Sequence, residues 1–93
     1  MARRRVKIVV EGKPTYERWT LHQWLIEVKE IIEEEYDVEI IIDERDNSDP
    51  LPKLFVNDRE VFHGLPGEEG YLIEVLKHAL EEQGYKRRID RDH

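Results

Sequence analysis

Apolar residues recur along this chain with two different periods, and the switches between them predict the elements. Val6, Ile8 and Val10 alternate with Lys7 and Val9, which predicts a strand over 6–10. Glu11-Gly12-Lys13-Pro14 breaks it. Leu21, Trp24, Leu25, Val28, Ile31 and Ile32 then fall at offsets 0, 3, 4, 7, 10 and 11, the single stripe of an amphipathic helix. Glu27, Glu30, Glu33 and Glu34 lie off that stripe and are expected to face water. Two signals compete for the start of the helix. One is Pro14-Thr15; the other is Thr20-Leu21-His22-Gln23, which has capping-box spacing.

Val38 to Asp43 contains the run Ile40-Ile41-Ile42, the pattern of a strand covered on both faces or nearly so. A polar loop over 44–52 follows. Residues 53–57 and 60–63 predict a hairpin around Asn57-Asp58-Arg59, where Asn and Asp suit the turn. Gly64-Leu65-Pro66-Gly67 ends the hairpin, and Glu68 and Glu69 favour a helix N-terminus through the dipole. Leu72, Val75, Leu76, Ala79 and Leu80 form the stripe of that last helix, which Gly84 closes. Residues 85–93 show no apolar periodicity and are expected to form a loose basic tail.

The predicted order is β-α-β-β-β-α. A helix as long as the first cannot bridge a hairpin, so it implies parallel pairing of the first two strands through a right-handed crossover. The expectation is one α/β (α+β) domain over residues 1–93, core about 5–84, with a mixed four-stranded sheet and both helices on one face. Composition sharpens this. Hydrophobic residues at 39% beside charged residues at 40% describe a compact core under a charged skin, because disordered chains lack apolar periodicity. No run approaches the ~18 apolar residues of a membrane span. Met1-Ala2-Arg3-Arg4-Arg5 precedes an apolar run too short for a signal peptide and interrupted by Lys7, so the expected location is cytoplasmic. Many Glu, Arg and Ile residues with a single Met suit a thermophile's composition. The chain has no cysteine, which rules out thiol–disulfide chemistry and thiolate metal sites.

The element order resembles the thioredoxin-like fold in the small form of glutaredoxins and the selenoprotein W family. The resemblance covers about residues 5–84. It rests also on Leu51-Pro52 just before Lys53-Leu54-Phe55-Val56, and on the hairpin that leads to Gly64 and the final helix. It implies a cis peptide at Pro52, beside the loop Gly12-Lys13-Pro14-Thr15-Tyr16, where the family carries Cys-x-x-Cys or selenocysteine. Nothing of that motif is present here, so the resemblance implies a fold and a contact surface without redox activity.

Chain direction sends four loop ends to one edge of the sheet. That edge collects Glu11, Lys13, Tyr16, Asp43, Glu44, Asp46, Asp49, His63, Glu68 and Glu69. Carboxylates beside a histidine suit a hard metal or acid–base work. Yet surface acids are expected in so charged a chain, and no tight ligand spacing or nucleophile–base pair accompanies them. No catalytic residue, metal or cofactor is assigned. The net charge of −7 opposes general nucleic-acid binding. Arg3, Arg4 and Arg5 nevertheless come to the same end as Lys86, Arg87 and Arg88, and could grip phosphates or simply pair with Glu33, Glu34, Glu35 and Asp37.

Trp24 lies on the apolar stripe and is expected in the core. Trp19 and Tyr16 lie off it, close to the Pro52 loop, and suit either a protein contact or, for Trp19, packing against its own loop. Val9 and Ile41 have the opposite parity to the core residues of their strands, so the second sheet face is expected to be apolar, either uncovered or overlaid by the 44–52 loop or the tail. The leading expectation is a non-redox interaction domain, a homodimer or a subunit of a larger assembly. A nucleic-acid accessory protein comes second and an enzyme at the acidic loop end third.

Overall fold

The structure is a computed structural model and describes residues 3–88. Four strands, β1 (Arg4–Gly12), β2 (Val38–Asp46), β3 (Lys53–Val56) and β4 (Arg59–His63), form one mixed sheet in the order β2-β1-β3-β4. Helix α1 (Tyr16–Tyr36) carries the chain from β1 to β2, which pair in parallel, Val6 with Ile40 and Ile8 with Ile42. β3 returns antiparallel to β1, and β4 antiparallel to β3. Helix α2 (Glu69–Glu82) closes the fold.

Strand parity locates the core. Val6, Ile8 and Val10 join Val38, Ile40, Leu54 and Val56 on one sheet face, buried in a single cluster with residues of both helices. From α1 the cluster takes Leu21, Leu25, Val28, Ile32 and Tyr36; from α2 it takes Leu72, Leu76, Ala79 and Leu80. Both helices therefore serve the same face of the sheet.

Local chemistry fixes the ends of these elements. Thr15 caps α1, its hydroxyl accepting from the Arg18 N–H at 3.3 Å. Of the two competing start signals, the earlier is used. Thr20 lies inside the helix, its hydroxyl buried without a hydrogen-bond partner among the described residues. The hairpin turns on Asn57 and Asp58, both at positive φ (51° and 69°), the two-residue turn whose twist matches its strands. Gly84, at φ 92°, ends α2 in a Schellman motif. The Tyr85 N–H reaches the Leu80 carbonyl (2.9 Å) and the Gly84 N–H reaches Glu81 (3.1 Å).

Several expectations need correction. Ile31, on the predicted stripe, is exposed, and Trp24 is only half buried against the core. The stripe is wider than the groove that one sheet and one neighbouring helix provide, so its flank stays wet. Glu33 does not simply face water: its carboxylate accepts the Ile40 N–H at 2.8 Å, along the outer edge of β2. Tyr85, placed at the head of the loose tail, is buried in the core cluster. The last five residues of that predicted tail, 89–93, lie outside the described residues. Pro52 follows a trans peptide, because no cis bond occurs among the described residues.

Candidate functional site

β1 and β2 run in parallel, so both deliver their C-terminal ends to one edge, with Gly12 beside Asp46. The antiparallel hairpin brings its open end there too, with Lys53 beside Glu11 and His63 beside Lys53. The 47–52 loop folds directly over this end. The Lys13 N–H donates to the Asp49 carbonyl (2.8 Å), and the Asn47 N–H donates to that of Gly12 (3.2 Å). Gly12 permits the approach, since a Cβ there would sit 3.2 Å from the Pro52 Cα. Pro52 is buried, and its carbonyl accepts from the Gly64 N–H at 2.6 Å.

Arg18, in the first turn of α1, organises the end. Its side chain is 12% exposed. Nη1 donates to the Gly12 carbonyl (2.8 Å) and to Asp46, while Nη2 donates to Glu44 at 3.0 Å. His22, one turn further on, lies 3.0 Å from the other oxygen of Glu44. The guanidinium thus holds the start of α1 to the exits of β1 and β2, a forked geometry that lysine could not reproduce. Neither Arg18 nor His22 is legible as a site residue in the sequence. An arginine just after a helix start carries no pattern, and its partners lie 26 and 28 residues away.

His63 Nε2 lies 3.1 Å from an Asp49 carboxylate oxygen. Asp49 also accepts from the Leu51 N–H at 2.9 Å. That backbone bond, opposed by partial desolvation and aided by His63, holds its carboxyl below the ordinary carboxylate range. Glu69, grouped with this edge from sequence, lies instead beside Glu27, midway along α1. The hydrogen bond between these two carboxyls, with desolvation and mutual repulsion, pushes the Glu69 carboxyl above its ordinary value. Among the described residues, no three His, Asp or Glu side chains are grouped to hold a metal ion. Of the acids at this end, Glu44, Asp46 and Asp49 bind Arg18, His22 and His63.

Compared with protein-family models, curated proteins and solved structures, the chain matches none. Its surfaces must therefore speak for themselves. Tyr16 is 75% and Trp19 59% exposed, and their rings stack at a centroid distance of 6.1 Å on the outer side of the first turn of α1. Ile26 continues the same outward line two turns on and is also exposed. Leu51 is exposed in the adjoining loop.

The outer sheet face differs from the expected apolar surface. Val9 is only 1% exposed, because it lies on a central strand, flanked by Asp43 of β2 on one side and the larger Phe55 of β3 on the other. Ile41, on edge strand β2, is 41% exposed. Around them the face is chequered with charge. Arg5 pairs with Glu39 (3.8 Å), and Glu11 sits in register between Arg45 and Lys53.

The basic end is occupied as well. Arg3 binds Asp37 at 3.2 Å, and the Arg4 guanidinium lies 4.1 Å above the Tyr85 ring, joining the first strand to the tail. Arg87 is partly buried and engaged, while Lys86 and Arg88 are exposed. Among the described residues, no helix is long and apolar enough to cross a membrane.

Proposed function

We propose that this chain is a non-redox protein-interaction domain of thioredoxin-like topology whose contact surface is the Tyr16–Trp19 pair. The element order and the packing of Pro52 on Gly12 support the topology, although the trans peptide departs from the family pattern. The observation that carries the function is the exposure of two stacked aromatic rings at the loop end. Rings of this size dominate binding energy when a partner buries them, and rigid stacking lowers the entropy lost on binding. The Arg18 clamp beneath them fixes the helix turn that presents them.

A photocrosslinking residue at position 16, compared with one at the exposed Glu34, tests this in the host cell. A specific adduct at 16 that disappears with Trp19→Ala supports the reading; equal labelling at both positions rejects it. An adduct with its own kind identifies a homodimer, and one with another chain identifies a subunit of an assembly. Self-association through the outer sheet face is a second reading, favoured by the exposure of Ile41 alone. On that reading Ile41→Asp shifts the native mass from dimer to monomer, and an unmodified protein that stays monomeric at high concentration rejects it. Nucleic-acid binding has less support, because Arg3, Arg4 and Arg5 already have partners within the fold.

A further inference from the structure

A groove of about 530 Å³ runs between β4 and α2, away from the loop end and from the outer sheet face. Its volume is within the usual range of ligand sites. Val61, Phe62, Tyr71 and Val75 give it an apolar floor, with Phe62 and Tyr71 packed edge to face at 5.8 Å. Its rim carries Glu60, Glu74 and Glu82 against Arg59, and His78 lies 3.1 Å from Glu82.

One wall of this groove is a sheet edge. β4 is the last strand in the order β2-β1-β3-β4 and, among the described residues, pairs only with β3, so alternate backbone N–H and C=O groups along it have no ladder partner there. The opposite edge, β2, differs: Glu33 of α1 already takes the Ile40 N–H there. An open strand edge facing a helix across an apolar trough is the geometry that accepts an extended peptide as an added strand.

We propose that this groove binds an extended basic segment of a partner protein, laid along β4 as a fifth strand. Its apolar side chains enter between Phe62, Tyr71 and Val75 at every second position, and its Lys or Arg side chains meet Glu60, Glu74 and Glu82. Charge chooses this occupant. Three carboxylates face one arginine around the groove, so cationic segments are attracted and acidic ones repelled. A second copy of this chain, with its net charge of −7, would bring the same acidic edge against itself. The charged start of β4, Arg59 and Glu60, and the register shift opposite Leu54/Phe55 are devices that deter indiscriminate edge pairing, which leaves complementary charge as the means of entry. The inference stands apart from the aromatic pair, because the two surfaces share no residue.

The probe is a capped heptapeptide of alternating lysine and valine, titrated into isotope-labelled full-length protein at low salt and followed by amide chemical shifts. Shifts confined to β4 and the facing side of α2, weakening as salt rises, are expected. The matching glutamate–valine peptide should bind at least about tenfold more weakly. Combined Glu74→Lys and Glu82→Lys replacement, at two exposed positions that the core does not use, should reverse that preference. N-methylation of alternate peptide residues should abolish binding, since main-chain hydrogen bonds carry strand addition. Absence of shifts at β4, equal binding of both peptides, or binding that survives N-methylation overturns the proposal. So does a concentration-dependent shift of β4 without peptide, which would make a second copy the occupant.

Discussion

Replacing Arg18 by methionine isolates the guanidinium, because methionine keeps most of the packed stem and loses the charge. Three hydrogen bonds to a charged donor would sum to more than 4 kcal/mol at about 1.5–3 kcal/mol each if every acceptor were stranded. The structure argues for less. Asp46 is 79% exposed and rehydrates at once when released. Glu44 keeps His22, and the Gly12 carbonyl keeps the Asn47 N–H. Solvent screening leaves about 1 kcal/mol or less for each carboxylate. With the half-buried bond to Gly12, the total is about 2 kcal/mol. Equilibrium urea unfolding should show the midpoint falling by roughly 1–1.5 M, taking a slope near 1.5 kcal/mol per molar for a domain of this size. A double-mutant cycle with Glu44→Gln should give positive coupling that survives 1 M salt in part, because the guanidinium is largely shielded. A midpoint shift below about 0.3 M, or coupling that vanishes in salt, would show that the cluster is an ordinary surface ion pair and that the loop end is held by Gly12 packing alone.

Asp58→Gly should stabilise the fold by about 0.5–1 kcal/mol in the same assay, since Asp58 stands at φ 69° in a turn that favours glycine there; a loss would mean that its side chain holds the turn. Trp24→Ala should cost about 2–3 kcal/mol, less than a fully buried tryptophan, whereas Trp19→Ala should stay within about 0.5–1 kcal/mol. Equal large losses in chemical unfolding would put Trp19 in the core and remove it from the proposed contact. Glu69 titrates above its ordinary 4.5 in the folded protein, so the fold binds its proton more tightly than the unfolded chain does. That contribution is present below pH 4.5 and is lost as pH rises through the folded value, and Glu27→Gln should remove the loss in thermal melts taken from pH 4 to 7. Asp49 has the opposite sign: its contribution is present above the ordinary 3.8 and fades as pH falls through the lower folded value, a dependence that Asp49→Asn should erase.

The periods of apolar residues were enough to place six elements, because side-chain direction along a strand or helix is a local property of the backbone. Val6, Ile8 and Val10 share a face whatever lies opposite, and Leu21, Leu25, Val28 and Ile32 share another. The long helix between two strands likewise required a parallel pair, and Asn57-Asp58 required a tight turn. Which residues meet across the fold is a different kind of fact. Arg18 finds Glu44 and Asp46 only because parallel register sets the end of β2 beside Gly12, and no local pattern marks an arginine for that role. Val9 has the sequence signature of an exposed apolar residue and is buried because its strand is central, while Ile41, with the same signature, is exposed because its strand is an edge. Strand order decides that difference. It also decides that β4 is left open beside α2, and that Glu33 guards the β2 edge rather than facing water. Periodicity records what each segment wants to bury; only the packed sheet determines what is left for it to be buried against.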